Sequence, residues 1–264
     1  MMKKVLWAMV GSALVVATAC SSNGSSSAAP SASSSSTTTE LTVFAASSLT
    51  AAFTQIGSDF ETANPGVHVT FNFGSSTDLA AQIASEGTAD VFASASETAM
   101  DAAAADPGVA DRTDFATNQL VIITPPDDPA NIGSVEDLAN EGVQVVLAAE
   151  GVPVGDYARE MLDSAGVSTE VLANVVSNEP DDAAVVAKVA SGEADAGVVY
   201  LSDIAAADVG SVAVPEDINV IATYPIAVVT AAPQPDLATS FETFVTGGQG
   251  QATLTSFGFG PAPR

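Results

Sequence analysis

The chain of 264 residues has one cysteine, one histidine, one tryptophan and only six lysines and arginines together. A single cysteine forbids an internal disulfide, so stability has to come from a buried core. Against 32 acidic residues the six basic ones leave a net charge of −26. Lys3 and Lys4 stand at the amino end, and beyond them only Arg112, Arg159, Lys188 and Arg264 remain. Nucleic-acid binding is excluded, because its phosphate contacts need cationic side chains. The acidity bears on solubility and long-range steering, and slows the approach of an anion at low salt. The lone histidine, His68, lies in a strand-like alternation, and no Gly-x-Ser-x-Gly elbow occurs, so a Ser-His-acid triad has no members. Imidazole and thiolate ligands for a metal are missing, and no twelve-residue loop has calcium-binding Asp spacing. No acid/base pair stands out, so no enzyme is expected. There is no internal repeat.

What is present begins with an export signal over residues 1–20. Lys3 and Lys4 open it, Val5 to Val16 form an apolar stretch too short for a membrane span, and Ala17-Thr-Ala-Cys20 closes it. The placement of Cys20 resembles the lipobox of bacterial lipoproteins, although Ala17 stands where leucine is usual. Lipidation of Cys20 and attachment to the extracytoplasmic face of the cell membrane are predicted. Residues 21–39 are nearly all Ser, Thr and Ala, without apolar periodicity, and are predicted to be a flexible linker. Folded structure is expected from about Glu40, leaving some 225 residues for one large or two modest domains.

From there strand-like and helix-like patterns alternate. Leu41 to Ala45, Val67 to Phe73, Asp90 to Ala93, Gln119 to Ile123, Val143 to Leu147, Ala196 to Tyr200, Val220 to Ala222 and Ile226 to Thr230 read as strands. Leu49 to Phe60, Leu79 to Ala84, Glu97 to Ala105, a segment entered at Ser134, Asp156 to Ala165, Asp181 to Ser191 and most of Asp236 to Phe257 read as helices. This alternation predicts an α/β fold with largely parallel sheets, in which ligands sit beyond the carboxyl ends of strands.

Four segments lie at such junctions: Phe44-Ala-Ala-Ser-Ser-Leu-Thr50, Phe73-Gly-Ser-Ser-Thr-Asp-Leu79, Val152-Pro-Val-Gly-Asp-Tyr157 and Asn178-Glu-Pro-Asp-Asp-Ala183. Helix N-termini offer unpaired backbone N–H groups and a partial positive charge. One such segment is an ordinary cap. Four in a chain nearly free of cations suggest an anion site built from neutral donors. Ser47 or Ser48, and Ser75 or Ser76, are expected to cap helices, and Pro153 and Gly155 to shape a tight turn. Tyr200, at a strand end, would add one phenolic donor. Asp90 and Asp195 read as structural.

With Ala89-Asp-Val-Phe-Ala-Ser-Ala95, Ser191-Gly-Glu-Ala-Asp-Ala-Gly-Val-Val-Tyr200 and Tyr224-Pro-Ile-Ala-Val228 added in order, the chain from Leu41 onward resembles the periplasmic molybdate-binding protein family. The resemblance implies a two-lobed periplasmic-binding-protein fold of type II, each lobe a mostly parallel sheet flanked by helices. The lobes are expected at 40–119 with 225–264, and at 120–224. It implies oxyanion ligands at Ser48, Ser76, Val154, Asp182 and Tyr200, hydroxyl donors from the serines and tyrosine, and backbone N–H from Val154 and Asp182. Molybdate or tungstate would be held through its oxygens by these residues, with no cofactor. Asp182 departs from the apolar residue usual in the family, and its carboxyl is expected to point to solvent. The implied role is a monomeric, lipid-anchored receptor that closes on its anion and delivers it to an ABC permease and its ATPase. The same fold tuned to sulfate or phosphate is the alternative.

Overall fold

Leu41, Val43, Phe44 and Ala45 are all buried, with only the half-buried Thr42 interrupting them, as an inner strand covered on both faces requires. They lie in β1 (Thr39–Ala46), the first element of a computed structural model that describes residues 38–263. The export signal, Cys20 and the linker as far as residue 37 lie outside the described residues. After a 3₁₀ turn at Ser47–Leu49 come α1 (Thr50–Ala63), β2 (Val67–Gly74), α2 (Ser76–Glu86), β3 (Val91–Ala93), α3 (Glu97–Ala105) and the long β4 (Val109–Thr124). They are followed by β5 (Val145–Ala148), α4 (Pro153–Ala165), α5 (Ser168–Ala173), β6 (Val175–Glu179), α6 (Asp182–Ala190) and β7 (Ala196–Tyr200). A 3₁₀ helix at Leu201–Ala206, β8 (Gly210–Ala213), β9 (Ile221–Val229), α7 (Pro235–Thr246), α8 (Gly248–Ser256) and β10 (Gly260–Pro261) complete the chain.

The strands run in the order β2-β1-β3-β9-β4-β7-β5-β6, with β8 and β10 against β4. β1 pairs parallel with β2 and β3, and β5 pairs parallel with β6 and β7. Between these groups β4 and β9 run antiparallel, so the sheets are mixed rather than wholly parallel. β4 pairs with β9 as far as Gln119, opposite Ile221, and from Leu120 onward pairs with β7 and β8. One continuous strand thus passes from the first sheet into the second. The result is a two-lobed α/β fold with a cleft between the carboxyl ends of the two parallel groups.

Packing follows the helical periodicity. Phe53, Ile56 and Phe60 share one buried face of α1. Phe241 of α7 meets Phe53 and Phe60 edge-on, with ring centroids 6.1 and 5.2 Å apart. Each fully buried aromatic ring of this kind contributes roughly 1.5–3 kcal/mol. The segment expected to enter a helix at Ser134 yields only a 3₁₀ turn at Glu136–Ala139. Asp137 folds back there to accept from Gly133 N–H at 3.0 Å and Ser134 Oγ at 3.2 Å, and Gly142 turns the chain with φ of +89°.

Candidate functional site

The carboxyl ends of β1, β2, β5, β6 and β7 bring four helix starts and one tyrosine to the same small cavity. It is lined by Ala46, Ser47 and Ser48 after β1, by Gly74, Ser75 and Ser76 after β2, and by Val152, Pro153 and Val154 after β5. Ala95, Asp182 and Tyr200 complete the wall. All five oxyanion ligands implied by the resemblance, Ser48, Ser76, Val154, Asp182 and Tyr200, are therefore in one place. The free volume is about 10 Å³, the room of one water. A tetrahedral oxyanion with its five heavy atoms fits only when the walls part slightly. Two larger clefts, of about 710 Å³ beside Glu150 and Arg159 and about 550 Å³ between α2, α3 and α4, are surface grooves.

Buried polar atoms almost always find a partner. Among the described residues four buried side-chain atoms do not: Ser75 Oγ, Asp182 Oδ2, Tyr200 Oη and Glu242 Oε2. Three of the four belong to residues lining this cavity, and none to a residue lining either larger cleft. Ser75 occupies the N-cap position of α2, but its side chain makes no capping bond, contrary to the capping role expected of it. Neither Ser47 nor Ser48 caps a helix through its hydroxyl. These hydroxyls are held for something else.

Their surroundings aim their protons. Ser76 Oγ accepts from Ala95 N–H at 2.9 Å, which leaves its O–H free to donate. Asn118 Nδ2 donates to Tyr224 Oη at 3.4 Å, and Tyr224 Oη lies 2.9 Å from Ser48 Oγ. Either hydroxyl can donate in this bond, and the contact holds Ser48 Oγ in place beside the cavity. Asn118 Nδ2 also donates to Ser202 Oγ at 2.8 Å. Burial holds the phenol pKa values of Tyr200 and Tyr224 well above the ordinary value, so both remain neutral donors.

The first turn of α4 supplies backbone. Pro153 sits at the N1 position, where its missing N–H costs nothing, and the N–H of Val154 follows in the unpaired first turn. Pro153 and Gly155 thus belong to a helix and not to the tight turn expected of them; the turn is made by Gly151, with φ of +84°. A Cβ on Gly155 would lie 2.3 Å from the Ala149 carbonyl oxygen, so glycine lets α4 start hard against β5.

Asp182 is where expectation and structure part. Its residue is 2 % exposed, and its carboxyl faces the cavity instead of solvent. Asp181, the N-cap, takes the capping bond from Ala184 N–H at 2.8 Å. That leaves the next side chain to turn inward, where Oδ1 accepts from Ser47 Oγ and from Ala183 N–H at 3.0 Å. Burial, with the Asp181 charge added, raises the Asp182 pKa to about 6 despite the two donors. Asp203, whose carboxylate accepts from Tyr200 N–H at 2.9 Å, is pushed well up by burial and by the Asp182 charge.

Among the described residues no guanidinium or ammonium lines the cavity. Arg159 is engaged by the carbonyls of Ala148 and Gly155 at 2.9 and 2.7 Å, and by Asn178. Lys188 pairs with Glu179 at 2.7 Å, and Arg112 with Asp101 and Glu97. Asn118, Ser202 and Asp203 carry no recognisable motif in the sequence; they do not line the cavity but hydrogen-bond Tyr224, Ser48 and Tyr200 from behind its wall. Tyr224 was visible as part of a strand motif but not as the partner of Ser48.

Two lobes joined by a shared strand, with hydroxyl and backbone donors converging on one small cavity, are the arrangement of a solute-binding protein. Residues 41–260 match the family of bacterial extracellular solute-binding proteins. The chain belongs to that family, and within it to the molybdate-binding proteins of ABC transporters. It is 42% identical over 222 residues to the molybdate-binding protein ModA of Mycobacterium tuberculosis, covering 83% of this chain and 84% of the relative. The periplasmic molybdate-binding protein of Azotobacter vinelandii superposes with a TM-score of 0.75 at 22% identity, covering 85% of this chain and all of that one. The sulfate-binding protein SubI of Mycobacterium tuberculosis superposes with a TM-score of 0.74 at 18% identity, covering 84% and 87%. Both likenesses establish the fold; they do not choose the anion.

Proposed function

We propose that this protein captures molybdate, and tungstate with it, between its lobes and hands it to an ABC permease and its ATPase. The observation that carries the reading is the convergence of Ser75, Tyr200 and Asp182, each with an unpartnered buried polar atom, on a cavity walled by helix starts. Molybdate near neutral pH is a tetrahedral dianion that needs donors on every oxygen. Hydrogen bonds to a charged group are worth roughly 1.5–3 kcal/mol each, so several together offset the dehydration of the anion without a buried cation. The 42% identity to a protein named for molybdate binding supports the same choice.

The site residues are Ser48, Ser76 and Tyr200 through hydroxyls, and Val154 and Asp182 through backbone N–H. Ser75 Oγ joins them on the strength of its orphaned position. The anion bridges the lobes, taken as 40–119 with 225–264 and as 120–224, and shifts the population toward the closed form that the permease recognises. The protein works as a monomer without a cofactor, carries out no reaction, and is tethered outside the cell membrane by a lipid on Cys20. Cys20→Ser should release it from membranes; continued attachment would overturn the anchor.

One observation favours a second reading. An inward carboxylate suits a protonated oxyanion such as phosphate, whose proton it would accept. Thermal unfolding with molybdate, tungstate, sulfate and phosphate separates the two, since a ligand of the folded state stabilises by about 4 kcal/mol at a thousandfold excess over Kd. Shifts with molybdate and tungstate alone support the first reading, and a shift with phosphate alone overturns it.

A further inference from the structure

We infer that Asp182 binds the anion as a neutral carboxylic acid, so that capture of a dianion draws one proton into the site. The inference rests on the reading above and concerns the chemistry of the same cavity. Asp182 Oδ1 is occupied by Ser47 Oγ and Ala183 N–H, whereas Oδ2 is buried and receives no donor, in a residue that lines the cavity. The Asp203 carboxyl stands within hydrogen-bond reach of the Asp182 carboxyl, a second acid that favours a proton there. An ionised Oδ2 would face the anion as a like charge in a low-dielectric pocket, and the same atom protonated is a donor.

The neighbours push the same way. The titratable groups acting on Asp182 or acted on by it are Asp181 beside it on α6, Asp203 on the following 3₁₀ helix, Tyr200 at the end of β7 and Tyr224 on β9. All are acids, and the three cations of the described residues are engaged elsewhere by Asp101, Glu97, Glu179, Asn178 and backbone carbonyls. Among the described residues the only donors to the Asp182 carboxyl, Ser47 Oγ and Ala183 N–H, both act on Oδ1, and no cation stands opposite Oδ2. Asp203 lines a separate pocket of about 340 Å³ with Ser47 and Ser48. No bond other than that to the proton is made or broken.

Asp182, already titrating near pH 6 with no anion bound, would stay protonated to higher pH once a dianion is beside it. Linkage then fixes the outcome: over the range where free Asp182 is ionised and bound Asp182 is not, Kd for a dianion rises tenfold per pH unit. The test is calorimetric titration of the purified protein with micromolar molybdate from pH 6.5 to 8.5, in buffers of different ionisation enthalpy. About one proton should be taken up per anion at pH 7.5, with Kd rising with pH. Asp182→Asn keeps a donor and removes the titration: it should show no proton uptake, a flat pH profile, and binding at pH 8.5 at least as tight as the parent. Tight binding by the parent with no proton uptake and no pH slope overturns this inference alone. An unchanged slope in Asp182→Asn overturns it too. An absence of molybdate binding at every pH overturns it together with the function it rests on.

Discussion

The Ser48 hydroxyl lies 2.9 Å from that of Tyr224, a residue 176 positions further along the chain. Asn118 donates to Tyr224 at 3.4 Å, so a hydrogen-bonded chain runs from Asn118 through Tyr224 to Ser48. Removing Ser48 Oγ, or Ser76 Oγ, should weaken anion binding by about 1–3 kcal/mol. Because each also strands a buried partner, Tyr224 Oη or Ala95 N–H, it should lower the unfolding temperature of a protein that still folds. Tyr224→Phe leaves Ser48 in place but frees its orientation, and should cost less, about 0.5–1.5 kcal/mol. Titration calorimetry on the three variants gives the ranking; a Tyr224→Phe loss larger than that of Ser48→Ala would contradict it.

Tyr200 makes a different prediction, because its buried hydroxyl has no partner. Tyr200→Phe removes an unsatisfied polar group, which costs about 1–3 kcal/mol where it is buried. The variant should be more stable than the parent without anion, and should gain less stability when anion is added. Differential scanning with and without molybdate measures both. A destabilised anion-free variant would show that the phenol has a structural partner.

Gly155 allows the first turn of α4 to touch the end of β5, since an added Cβ would come within 2.3 Å of Ala149 O and 2.6 Å of Ala148 O. Both contacts are backbone, which yields less readily than a side chain. Gly155→Ala should destabilise by about 1–3 kcal/mol and displace the Val154 N–H, weakening anion binding as well. Denaturant unfolding and calorimetry give the two readings, and a fully stable variant with parental affinity would refute the close packing.

Glu242 lies outside the cavity, on α7, and burial raises its pKa to about 7 from the usual carboxylate value near 4.5. Below pH 4.5 it is protonated folded and unfolded, and costs nothing. As pH rises toward 7 the unfolded chain releases the proton first, so stability falls through that window and levels above it. Glu242→Gln should match the parent near pH 4 and melt higher at pH 8, as thermal scans across pH would show.

Much of the architecture was legible because burial writes itself into pattern. Leu41 to Ala45, inner and covered on both faces, is apolar but for Thr42, and α3 spans the Glu97 to Ala105 expected of it. The short elements were not legible: α5, β6 and β8 have too few residues to show a period, and β6 alternates buried and exposed positions only partly. The antiparallel course of β4 and β9 depends on long-range pairing that no local pattern carries. At the cavity, the segments holding Ser48, Ser76, Val154 and Asp182 were readable as strand-to-helix junctions, and Tyr200 from its place at a strand end. Asp182 was misread because two adjacent aspartates at a helix start look alike. Only one can cap, and Asp181 does. Asn118 and Asp203 had no signal, since what matters is their placement behind a wall made by other segments.

The central claim is that one tetrahedral oxyanion sits among Ser48, Ser76, Val154 and Tyr200. A crystal of the protein grown with molybdate, with diffraction recorded on both sides of the molybdenum absorption edge, tests it without reference to affinity. The account predicts a single strong anomalous peak inside this cavity, with oxygens within hydrogen-bond reach of the three hydroxyls and the Val154 N–H. A peak elsewhere on the protein, or none at saturating molybdate, would contradict it.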